Sequence, residues 1–191
     1  TSFPLTPRCL EQSLTFNSNR TARSMRDVPS AVSVLVEPYL SQSPAVTVDD
    51  ALRQIPAFSL FRRSSSLVAH PTSQGVSLRG IGPSGVSRTL VLWDGIPLND
   101  PFGGWVYWNR IPTLALEQVE VARGATSQLY GSSALGGTLQ LHPLEPGPGR
   151  FEIMAEVGNR ETYDVSALAS EKKGACGYVL WGRVFGTGGF F

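Results

Sequence analysis

Two glycine-rich runs have the spacing to hold phosphate in this 191-residue chain. Gly80-Ile81-Gly82-Pro83-Ser84-Gly85 carries the G-x-G-x-x-G pattern with which a strand-to-helix turn cradles a dinucleotide. That chemistry requires a helix N-terminus beneath the phosphate, whereas the next segment, Val86–Trp93, is β-branched and runs into a turn. Gly131-Ser132-Ser133-Ala134-Leu135-Gly136 has the glycine spacing of a Walker loop, but Gly137 stands where a phosphate-binding lysine is needed. His70 and His142 are the two histidines, each followed by proline, and no G-x-S-x-G elbow accompanies them. Cys9 and Cys176 lack the paired spacing of a zinc site. The chain therefore reads as a non-enzyme, with no cofactor and no metal.

Binding potential rests instead on aromatic rings and guanidinium groups. Pro101-Phe102-Gly103-Gly104-Trp105-Val106-Tyr107-Trp108 crowds Phe102, Trp105, Tyr107 and Trp108 into one loop. Each such ring buries about 150–250 Å², against a ligand or against a neighbouring wall, and the pattern leaves both open. Arg62, Arg63 and Ser64–Ser66 form a second loop suited to anionic or hydroxylated ligands. Arg79 and Arg123 each end a β-like segment and precede a glycine. The 16 Lys+Arg against 15 Asp+Glu, a net charge of +1, give no electrostatic footprint for general nucleic-acid binding.

The elements that must position these groups are short. Charged residues are 16% of the chain, below the roughly 25% of an average soluble domain, and 20 Gly with 14 Pro point to turns and brief strands. Residues 1–27 are polar and aperiodic and read as a flexible extension. Ala31–Val36 reads as a buried strand ended by Pro38, and Thr47–Pro56 as a short helix that turns Ala51, Leu52 and Ile55 inward. Strands are expected at Gly75–Arg79, Thr89–Trp93, Gln118–Val121 and Thr138–Leu141, with a hairpin turn at Asp94-Gly95 and a short helix near Ser127–Tyr130. Glu145-Pro146-Gly147-Pro148-Gly149 marks a boundary.

Beyond it the pattern changes. Phe151, Ile153, Ala155 and Val157 alternate with Glu152, Met154 and Glu156, and the alternation resumes at Tyr163, Val165, Ala167 and Ala169 and again over Cys176–Phe185. Strands of about nine to eleven residues with one apolar face and short turns are the signature of an outer-membrane barrel wall. Three are too few to close a barrel, so the chain is expected to be part of a longer wall.

Taken in order, Asp49–Pro56, Val76–Gly80, Val91–Asn99, Val119–Gly124 and Leu129–Gly137 resemble the plug domain of TonB-dependent outer-membrane receptors. The fold implied is an α+β plug with a small mixed sheet and short helices over residues 28–143, followed over 150–191 by the first antiparallel strands of a transmembrane β-barrel. The resemblance implies a gate for energy-coupled uptake of a scarce nutrient such as an iron chelate or cobalamin. Its expected partners are TonB, the outer membrane and that small-molecule ligand. Phe102, Trp105, Tyr107, Trp108 and Arg62 would face the ligand, Arg79 and Arg123 would lock plug to wall, and Leu14, Thr15 and Phe16 would form the TonB-coupling segment. A secreted β-rich interaction module is the competing expectation.

Overall fold

A computed structural model describes residues 15–16, 23–24, 31–62, 64–81, 87–124 and 126–189. Leu14, Arg63 and the stretch Gly82–Gly85 lie outside the described residues. Thr15–Phe16 (β1) and Arg23–Ser24 (β2) pair as a two-stranded antiparallel ribbon. Ala31–Val36 (β3) forms as the β-branched run predicts, but Pro38 does not merely end it. It sits in the first turn of a helix, Glu37–Gln42 (α1), where its missing N–H costs no hydrogen bond and its fixed φ suits helix entry. The second helix, Val48–Leu52 (α2), is shorter than the Thr47–Pro56 pattern suggests. Turn hydrogen bonds such as Ile55 N–H to Leu52 C=O carry the chain onward and still bury Ala51, Leu52 and Ile55.

Phe58–Leu60 (β4) and Val76–Leu78 (β5) make a second small antiparallel ribbon. The main sheet has five strands in the order β3-β8-β9-β6-β7, built from Thr89–Trp93 (β6), Ile96–Pro97 (β7), Leu116–Arg123 (β8) and Gly137–Pro143 (β9). The Asp94-Gly95 turn has positive φ at both residues, 47° and 79°, and folds β7 back on β6 as a hairpin. β6 and β9 are parallel, in register from Thr89 opposite Gly137 to Trp93 opposite Leu141, so the whole of β7, the aromatic loop and β8 forms the crossover between them. Ser127–Tyr130 (α3) occupies its expected place just before β9.

Alternation along these strands sorts the residues by face. Val91, Val119, Val121, Leu139 and Leu141 pack with Val48, Leu52, Ile55, Leu78, Trp108 and Leu116 in one core. Each such side chain, when fully buried, contributes about 1.5–3 kcal/mol. The opposite face carries a smaller cluster of Leu90, Leu92 and Ala134 beside the buried polar residues Glu120, Thr138 and Gln140.

Arg150–Gly158 (β10), Thr162–Lys173 (β11) and Cys176–Gly186 (β12) form a separate antiparallel sheet. Its register sets Phe151, Ile153 and Val157 opposite Ala169, Ala167 and Tyr163, and Val165 opposite Val184. Phe151, Ile153, Val157, Leu180 and Val184 are each more than 60% exposed, so one face is an apolar surface without cover. The other face carries Leu168, Asp164 and Ser170, all buried, and Arg183 gripping Asp164 with two nitrogens. Arg150 joins this sheet to the rest of the molecule, donating to Glu152 on its own strand at 2.7 Å and to Glu37 of α1 at 2.5 Å. No helix among the described residues is long and apolar enough to cross a membrane, which says nothing of strands.

Candidate ligand loops and the plug domain

The loop after β7 is held by its own polar side chains. Asn99 accepts from Val91 N–H at 2.7 Å and donates to Thr89 C=O and Gly104 C=O at 3.1 Å each, extending the sheet edge past the two-residue β7. The Asp100 carboxylate then accepts from Phe102 N–H and Gly103 N–H at 2.9 and 3.0 Å, which closes a tight turn. Neither residue figured among the sequence candidates, although an Asn-Asp pair just after a hairpin is a recognisable turn signal.

This scaffold sends the four rings to four different places. Phe102 stands at the tip, 97% exposed. Trp105 lies over Gly103, where a Cβ would overlap its ring, and its indole N–H is buried with no partner among the described residues. Tyr107 is half-buried under Arg110, whose guanidinium sits 4.5 Å from the ring centroid. Trp108 is fully buried in the core. The expectation that Trp108 faces a ligand is therefore corrected: the backbone turn at Trp108–Arg110 aims its ring beneath the sheet.

Arg62 needs the same correction. It is 8% exposed and donates to the Asp49 carboxylate, which is fully buried and also accepts from Ser66 Oγ at 2.8 Å. Burial pushes the Arg62 guanidinium below its ordinary value, and the Asp49 charge opposes the shift. With one nitrogen on Asp49 and the side chain out of solvent, Arg62 ties its loop to α2 instead of facing a solute. Gln74 completes the tie, donating to Ser66 C=O and Ala69 C=O and accepting from Trp108 N–H. One buried amide thus couples the serine-rich loop to the aromatic one.

Arg79 and Arg123 share one corner of the sheet. Arg79 has φ of 61° and donates its backbone N–H to Ala57 C=O, while the Arg123 side chain donates to Pro56 C=O, Ala31 C=O and Ser33 Oγ. Neither forms an ion pair among the described residues. His70 is exposed and caps a short turn at Thr72, and His142 Nε2 lies 3.2 Å from a carboxylate oxygen of the buried Glu120. Gly80 and Ile81 belong to a turn, and the chain re-enters the described residues at Ser87 just before β6. No group of three or more metal-ligating side chains occurs among the described residues.

Phe102 and Tyr130 lie along an open groove of about 950 Å³ that follows the outer face of the sheet past Arg88, Asp100, Gln140 and His142. The arrangement is a hydrogen-bonded, loop-topped sheet resting on amphipathic strands, and the family model described as TonB-dependent Receptor Plug Domain matches residues 24–138. The chain belongs to the TonB-dependent receptor plug family. It is 29% identical over 127 residues to the vitamin B12 transporter BtuB of Vibrio vulnificus strain YJ016, covering 66% of this chain and 20% of that protein. Among solved structures, the ferric yersiniabactin uptake receptor FyuA of Yersinia pestis superposes with a TM-score of 0.57 at 27% identity, over 75% of this chain and 22% of the other. The siderophore receptor PirA of Acinetobacter baumannii gives 0.58 at 26% identity, over 81% and 24%. The chain thus spans about a fifth to a quarter of the length of these relatives.

Proposed function

We propose that the plug, over residues 28–143, gates energy-coupled uptake of a scarce nutrient through an outer-membrane barrel whose first strands lie in 150–191, and that residues 1–27 are its N-terminal extension. The observation that carries this reading is the two-faced wall. A polar, hydrogen-bonded domain is held by Arg150 and Glu37 against one side of three long strands, whose other side exposes Phe151, Ile153, Val157, Leu180 and Val184. In water so large an apolar face is a liability; against lipid it is the favourable surface. The relatives' names support a siderophore, cobalamin or similar cargo. The role is transport, without catalysis.

Within this reading the ligand contacts are Phe102, Trp105 and Tyr107, and Arg79 with Arg123 lock the plug to the wall. Phe102 touches little of its own fold, so Phe102→Ala in the full-length receptor is expected to weaken ligand binding about tenfold with no change in thermal stability. Unchanged affinity by calorimetry would remove the loop tip from the site.

Leu14, Thr15 and Phe16 are the segment that TonB engages, by adding an extended stretch to a partner's sheet edge through main-chain hydrogen bonds. Thr15→Pro removes a donor and fixes φ. Uptake of labelled ligand by cells carrying that receptor is expected to cease while surface binding persists; normal uptake would exclude the segment from coupling.

A further inference from the structure

A second cavity, of about 350 Å³, lies between the plug and the wall. Trp93 at the end of β6 and Trp181 of β12 both line it, with Tyr107 and Arg110 of the aromatic loop and the apolar Leu98 and Ile111. Its lining thus draws rings from two separate sheets, and the register that places Trp181 opposite the buried Leu168 sets it on the plug-facing side of the wall. One cation serves the cavity. Arg110 lies over Tyr107 and makes no ion pair among the described residues, so the in-plane N–H groups of its guanidinium are not committed to a carboxylate. Mostly apolar lining with one placed polar group is the usual form of a small-molecule site.

We infer that this cavity binds a planar aromatic anion, with its ring against the tryptophans and its acid group on Arg110. An aliphatic acid would forgo the ring contacts, and a neutral ring would leave the guanidinium to water. Selectivity therefore requires both features in one molecule. The assignment rests on the receptor reading and deepens it, because it names the chemical class of a cargo or cargo fragment held below the loop tip.

The test is calorimetric titration of the full-length receptor with benzoate, benzamide and cyclohexanecarboxylate as probes. Benzoate is expected to bind saturably and about tenfold more tightly than either analogue, and Arg110→Ala and Trp181→Ala are each expected to weaken it about tenfold. Arg110 is exposed and Trp181 is 47% exposed, so neither substitution opens a core. Equal binding of benzamide and benzoate, no benzoate binding, or binding untouched by both variants would overturn the assignment. The Thr15→Pro uptake assay reads the receptor function separately, so failure of one is distinguishable from failure of the other.

Discussion

Asp49→Ala is expected to cost the plug about 3–5 kcal/mol, because it leaves the Arg62 charge buried without a counterion. Asp49 is fully buried and holds Arg62 at 2.5 Å and Ser66 at 2.8 Å, so the substitution also leaves the Ser66 hydroxyl only its longer bond to Thr47 Oγ1 and loosens the loop on α2. Against the 5–15 kcal/mol that typically separates folded from unfolded domains, that loss populates unfolded plug under mild conditions. The measurement is the denaturant midpoint of Asp49→Ala beside the double variant Asp49→Leu/Arg62→Met. Replacing both partners by apolar groups of similar volume is expected to restore most of the stability, since no charge then remains to be desolvated. A single variant within about 0.5 kcal/mol of the parent would show that Arg62 reaches water after all.

Gly137→Ala is the second large effect. Gly137 begins β9 with φ of 137°, a conformation that side chains rarely adopt, and a Cβ there would overlap the carbonyl oxygen of Ala122 on β8 and press on Leu78. The obstacle on β8 is backbone of the neighbouring strand, so no rotamer change relieves it. Left-handed strain and overpacking each cost about 1–3 kcal/mol, and together they are expected to remove about 3 kcal/mol or more. Gly149→Ala is the internal control, because a Cβ there meets nothing within 4 Å. Urea denaturation followed by tryptophan fluorescence compares the two, and equal midpoints would contradict the argument.

Much of the fold was legible because its signals are local. β-branched runs named β3 and β6, short apolar–polar alternations named β8 and β9, two residues named the hairpin, and longer alternation separated the apolar from the plug-facing side of β10 to β12. The helix α1 was missed because Pro38 serves equally to stop a strand or to start a helix, and only the packing of Leu40 into the core decides which. The two-residue β7, which the hairpin turn implies, persists because Asn99 continues its ladder.

Neighbours along the chain were enough for the family, for strands β3 and β5 to β12, and for the alternation that gives the last three strands two faces; β1, β2 and β4 escaped because two or three residues carry no period. Tertiary structure decided where the binding groups went. Four rings within seven positions of an irregular loop have no shared period, so nothing local tells Trp108, in the core, from Phe102, in solvent. Arg62 meets Asp49 across 13 positions and Arg150 meets Glu37 across 113, pairings that follow from how the loops close and how the wall folds back on the plug. A charge or a ring advertises in sequence that it needs a partner; which partner it finds depends on long-range packing, where burial makes one pairing far cheaper than the rest.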